Sequence, residues 1–234
     1  MGTERFANPP LVEAVFEIRF PGSLAVECRR DAFQRTVESE FPELHVPAID
    51  SPEPYPLKAY EFRNPAGTRI LKTSIRSFSY HVHDYVDFNE FRQGASRRVQ
   101  LFCDTFGIGR ITRTGTRYIN RIPVVREGGV IPLSKYLRFV LHLPESVPHE
   151  KLQEISCTFR AQGEDGSLRV IIHHAPAKEP PFEALWLDLD YISERECRPS
   201  DLEGRLEFSH SQIEAAFLQL VADDYRRAMA EESA

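Results

Sequence analysis

The sequence is short of most features that would announce a function. Its four cysteines, Cys28, Cys103, Cys157 and Cys197, stand far apart with no C-x-x-C pair. That spacing argues against a zinc knuckle or a disulfide framework and suits reduced thiols. No stretch approaches the roughly 18 consecutive apolar residues of a membrane span. The opening MGTERFANPP has no apolar core of the secretory type, and Phe6 stands where myristoylation would want Ser or Thr. A basic excess is also missing. The 29 Lys and Arg against 35 Asp and Glu give a formal charge of -6, the wrong sign for a chain whose main affinity is for nucleic acid or an anionic membrane. No G-x-S-x-G and no G-x-x-x-x-G-K-[ST] occurs, and GEDG and REGG are turn chemistry. These absences point to a soluble, cytoplasmic protein with no membrane partner, no nucleic-acid partner, no cofactor and no metal, and they leave any catalytic residue unknown.

What is present is an α+β pattern. The 234 residues, 41% of them apolar, suffice for a real core. After Pro9 and Pro10, residues 11–20 alternate as a strand, with Ala14, Phe16, Ile18 and Phe20 on one face and Glu13, Val15, Glu17 and Arg19 on the other. A helix is predicted over about 24–41 from Phe33, Val37 and Phe41. The proline-rich HVPAIDSPEPYP reads as a loop. A hairpin follows, with strands at 57–63 and 68–83 around the turn NPAG, and a change of apolar phase near Arg76-Ser77 predicts a bulge. Asp87 with Glu90 three residues on opens a helix that Gly107 stops, its buried stripe being Phe88, Phe91, Ala95, Phe102 and Phe106. A strand over about 110–122 completes a β-α-β-β-α-β order, the ferredoxin-like pattern, with the first strand central and both helices on one side.

REGGVIP marks a division between a ferredoxin-like unit at 1–126 and a strand-rich unit at 127–234, packed as one globule. In the second unit Ser134 is expected to cap a short helix to about 141. Strands are expected at 151–162, 167–175 and 184–192, the last holding Trp186, Asp188 and Asp190 on one face. Ser209 with Gln212 reads as a capping box, and Phe208 with Ile213 as a hydrophobic staple, for a closing helix to about Met229. The apolar stripe of that helix also offers a surface for a homo-oligomer.

Charge patterning gives the candidate site. In GRITRTGTRYINRIPV the residues Arg113, Arg117 and Arg121 share one parity. Beside the first strand they would face Glu13 and Glu17, with Lys72 and Arg76 approaching from the other neighbour. Arg19, Lys72, Arg76, Arg113, Arg117 and Arg121 then make six cations against two glutamates, a surface for an anionic small molecule or a protein partner. A plain ladder of cross-strand ion pairs fits the same letters. Tyr118, on the apolar parity, reads as core, and Asn120 as a structural hydrogen-bonder.

PPLVEAVFEIRF, RTGTRYINRI and LEFSHSQIEAAFLQLVADDYR together resemble a sporadically distributed bacterial family of uncharacterised proteins. Pro9, Pro10, Glu13, Ala14, Val15, Arg117, Tyr118, Asn120 and Arg121 carry the resemblance. It implies no established reaction, only an accessory or defence-associated role. A looser likeness links Glu13, Glu17 and Arg19 to the opening strand of triphosphate-tunnel enzymes, with Asp188 and Asp190 as further metal carboxylates, although Val15 breaks the strict motif. His81, His83, His173 and His174 are a weaker zinc candidate.

Overall fold

Alternation in the first strand decides the architecture, because it buries one face and leaves the other charged. The structure is a computed structural model that describes residues 6–46, 59–138, 154–175 and 183–230. Strand β1 spans Leu11–Arg19, and its Ala14, Phe16 and Ile18 are essentially inaccessible. Helices α1 (Leu24–Cys28) and α2 (Arg30–Val37) replace the single helix expected over 24–41. The break is at Arg29, whose backbone leaves the helical region (φ -123°, ψ 32°) while its guanidinium donates to the Thr105 carbonyl at 2.6 Å. Most of the expected loop at 45–56 lies outside the described residues.

Strands β2 (Glu43–His45), β3 (Tyr60–Arg63), β4 (Arg69–Ser74) and β5 (Ser77–Val82) come next. The predicted bulge near Arg76-Ser77 is in fact a hairpin turn. Ser74 pairs with Ser77 across Ile75-Arg76, so the expected strand over 68–83 is two strands. A two-residue turn makes paired residue numbers sum to an odd value, so Leu71 and Thr73 share a face with Tyr80 and Phe78. The phase change was real; its cause was a reversal of direction. The Ser74 hydroxyl closes the turn, accepting from the Ser77 backbone N–H at 3.1 Å.

Helix α3 (Phe88–Phe106) follows its caps as read: the Glu90 N–H donates to Asp87 at 2.9 Å, and Gly107 takes the left-handed conformation at φ 68°. Strand β6 (Arg113–Pro123) leads to helix α4 (Leu133–Tyr136), which contains Ser134 instead of being capped by it. Strands β7 (Ile155–Gln162) and β8 (Ser167–Ala175) form a hairpin, and β9 (Ala184–Ser193) completes the sheet. At that hairpin a side chain on Gly166 would start 2.3 Å from the Ile192 carbonyl oxygen, so only glycine fits.

Helix α5 spans Leu202–Leu220, and α6 spans Asp223–Ala230. The closing helix therefore begins seven residues before the predicted Ser209 cap, from the start Pro199-Ser200-Asp201. Ser209 is buried in mid-helix, donating to the Leu206 carbonyl at 3.0 Å and meeting the Thr116 hydroxyl at 2.5 Å.

Among the described residues, nine strands form one antiparallel sheet in the order β2-β3-β4-β5-β1-β6-β9-β8-β7, so the fold is α+β. β1 sits between β5 and β6, and β6 pairs with β9 across ten residue positions. α2, α3 and α5 pack on the face made by Phe16, Phe62, Leu71, Phe78, Tyr118, Leu187 and Val170. Phe33 of α2 sits with its ring 5.4–6.0 Å from those of Phe62, Phe78, Phe102 and Phe106. The opposite face carries the charges. No helix of the described residues is long and apolar enough to cross a membrane.

Candidate functional site

Register places the expected charged residues on one surface. In β1–β6 pairing Val15 lies opposite Arg117, Glu17 opposite Gly115 and Arg19 opposite Arg113, so glutamates and arginines share the face away from the helices. β9 continues it, with Asp190 opposite Arg117 and Trp186 opposite Arg121. β8 adds Arg169 opposite Asp190, and β7 adds Arg160 opposite Arg169. On the other side β5 contributes Ser79 and His81, with His83 just beyond its end, β4 contributes Lys72, and β3 contributes Glu61 and Arg63.

Two of the eight expected site residues are displaced from their expected roles. Lys72 does not approach β1; β5 intervenes, and the lysine reaches Glu61 on β3 at 3.1 Å. Arg76 sits in the β4–β5 turn, exposed and beside Gly22, outside the row of strand residues. The misread hairpin explains both, since one strand over 68–83 would have put Lys72 and Arg76 next to Glu17.

The remaining cations do not stand against two glutamates alone. Arg113 pairs with Glu17, which also accepts from Arg19 at 2.9 Å. Arg117 grips Asp188 with two parallel bonds of 2.8 and 2.6 Å, the bidentate geometry that only arginine offers. That contact raises the Arg117 pKa above its ordinary value and more than offsets its partial burial. Arg169 donates to Asp190 at 2.8 Å; burial lifts the Asp190 carboxyl above its ordinary range despite Arg169, Arg113 and Arg117 around it. Arg63 donates to Glu61 at 2.6 Å; with Lys72 it holds that carboxyl below its ordinary value against a burial that pushes it up. Among the described residues the face is a lattice of ion pairs on which eight Lys and Arg meet six Asp and Glu.

Near the middle of the lattice is a relay that sequence reading missed. Glu13 Oε1 lies 2.7 Å from His81 Nδ1, and His81 Nε2 lies 3.0 Å from the Ser79 hydroxyl. His83 approaches the same carboxylate at 4.0 Å. The His81 hydrogen bond holds the Glu13 pKa down, over the opposing effect of burial. His81 and His83 were visible as a pair on one face; only the β1–β5 register brings Glu13 to them. The order carboxylate, imidazole, hydroxyl is that of an acyl-transfer triad. However, β5 lies between β4 and β1, so its backbone N–H groups are engaged in ladders on both sides and do not form an oxyanion hole. The arrangement fixes the imidazole and spreads charge along the face.

The metal candidates do not converge. β5 and β9 are three strand spacings apart, roughly 14 Å at about 4.8 Å each, so His81 and Asp188 cannot share one ion. His173 lies on the charged face, whereas His174 is buried on the helix side, where its Nε2 meets Glu183 at 2.9 Å. Among the described residues no group of three or more His, Cys, Asp or Glu is placed to hold a metal ion. On the helix side Asn120 is a structural hydrogen-bonder, donating to the Leu187 carbonyl at 3.1 Å. Compared with known proteins, the chain matches no family model and no curated sequence.

Proposed function

We propose that the protein is a binding component whose open, charged sheet face receives an acidic protein partner. One observation carries this reading: among the described residues, cations outnumber carboxylates on that face although the chain as a whole is acidic. Ion pairing leaves much of the cationic surface accessible, since the Arg19, Arg117 and Lys72 side chains are 53%, 41% and 39% exposed. A broad face with its charges already ordered suits a macromolecular surface better than a small anion, which concave sites hold. The N-terminal half, with β1 between β5 and β6 and α2 and α3 on one side, is read as a ferredoxin-like unit enlarged by a hairpin. A cytoplasmic, accessory role in a bacterium fits this reading.

Immobilised poly-aspartate tests it. Binding should weaken steeply between low and high salt, and the triple variant Arg19→Ala/Lys72→Ala/Arg121→Ala should lower affinity by about tenfold or more. Undiminished binding by that variant would refute the assignment. A thermal-shift series with inorganic phosphate and nucleoside triphosphate separates the other outcomes. Stabilisation by free phosphate at comparable strength would make the ligand a small anion. Stabilisation by triphosphate only with Mg²⁺, accompanied by hydrolysis, would make the protein a metal-dependent phosphohydrolase.

A further inference from the structure

The charge of the open face is unevenly spread among the described residues. On β2 to β5, Arg63 and Lys72 are matched by Glu43 and Glu61. On β1 and on β6 to β9, six arginines stand with only Glu13, Glu17, Asp188 and Asp190, so the whole cationic surplus of the face lies on that side. The pairing there shows where the surplus is least neutralised. Arg117 closes its fork on Asp188, and Arg113 shares Glu17 with Arg19. Arg169 has Asp190. Arg160, exposed on β7, forms no hydrogen bond or ion pair among the described residues.

Arg160 also stands directly opposite Arg169 in the β7–β8 register, so the two side chains leave the same face as immediate neighbours. Like charges so placed repel and weaken a strand pair. Asp190, on the far side of Arg169, relieves this only in part. It accepts one bond from Arg169 Nη2 at 2.8 Å, while Arg169 Nε is buried with no acceptor among the described residues. Arg169 therefore lacks the closed fork of Arg117, and an acceptor placed between it and Arg160 would serve both guanidinium groups. Thr158, exposed two residues along β7 on the same face, adds a hydroxyl beside them.

The number of charges and acceptors selects the ligand. A carboxylate brings one charge and satisfies one guanidinium, as Asp188 does for Arg117. A phosphoryl group brings a charge of about -1.5 to -2 at neutral pH and three strong acceptor oxygens, enough to bridge two arginines. The pair stands on an open strand surface and not in an enclosing cavity, so the phosphate needs to be delivered on a larger molecule to be held. We propose that the acidic partner carries a phosphorylated serine or threonine, and that its phosphoryl group docks between Arg160 and Arg169 with the Thr158 hydroxyl as a further donor. This proposal rests on the reading of the open face given above.

A hexa-aspartate peptide with one central residue, made as serine, phosphoserine or glutamate, tests it by titration into the full chain with amide shifts as the readout. The phosphoserine peptide should bind about tenfold more tightly than the serine peptide and shift residues 158–162 and 167–171, whereas glutamate should gain about threefold or less. In Arg160→Ala the phosphate advantage should fall to about twofold or less. That side chain makes no bond within the fold, so the variant should keep the denaturation midpoint of the parent. Equal binding of the serine and phosphoserine peptides would overturn the docking site and leave the acidic-partner reading standing; no binding by any of the three would refute both. An advantage that survives Arg160→Ala, or inorganic phosphate binding as tightly as the phosphoserine peptide, would also overturn the proposal.

Discussion

The two faces of the sheet use the same backbone for opposite purposes. On the covered face, shape does most of the ordering: Phe33 interlocks with four rings. On the open face, charge does the ordering: Arg117 with Asp188, Arg169 with Asp190 and Glu13 with His81 hold long side chains in fixed places. Stability therefore resides mainly on the covered side, because dispersion and desolvation in a packed core outweigh ion pairs near water.

Substitutions on each side should break or sharpen this contrast. The largest effect is expected for Phe33→Ala, about 3–5 kcal/mol in chemical denaturation, because the cavity it leaves is bounded by rings that cannot close in. Arg117→Ala should cost about 2–3 kcal/mol, less than for a fully buried pair, since it strands the nearly inaccessible Asp188 carboxylate. The double variant Arg117→Met/Asp188→Leu should recover most of that loss. A costless Arg117→Ala would mean that the open face is merely solvated.

His210 gives the covered face a pH signature. Burial drops its folded pKa to about 4, below the unfolded value of 6.5, so the unfolded chain binds the extra proton between them. The stability it supplies is full above about pH 6.5 and is lost as pH falls toward 4, on the order of 2 kcal/mol after allowance for partial exposure. Denaturation midpoints at pH 7 and pH 4.5 should show this difference shrinking in His210→Gln. Smallest is Arg19→Ala, expected within about 0.5 kcal/mol of the parent, while poly-aspartate binding weakens measurably.

How far the sequence revealed these faces depended on local signals. Asp87, Glu90 and Gly107 bounded α3 because caps are chemistry within a few residues. The alternation of β1 likewise declared which residues face which way. The β4–β5 reversal escaped because Ile75-Arg76 has none of the Gly, Asn or Pro that usually marks a two-residue turn; its signal was Ser74 acting on the following backbone. Ser209 misled for the converse reason: S-x-x-Q is a cap only where a helix begins, and Pro199-Ser200-Asp201 had begun it already. On the site, parity alone placed Glu13 with Arg117. The Asp188 grip, the Ser79–His81–Glu13 relay and the Arg160–Arg169 pair all depend on registers between strands that the letters alone do not give.

The pairing of β1 with β6 has a consequence for how the chain comes to be folded. A segment ending at residue 19 lies in the middle of the sheet, next to one that begins at 113, whose other neighbour begins only at 184. At roughly 5–20 residues per second, β1 leaves the ribosome about 5–20 seconds before its partner is made. Through that interval its apolar edge has no permanent mate. Such long-range closure slows folding and exposes the nascent protein to aggregation, so its yield in a cell should respond to chaperone supply more than its finished stability would suggest.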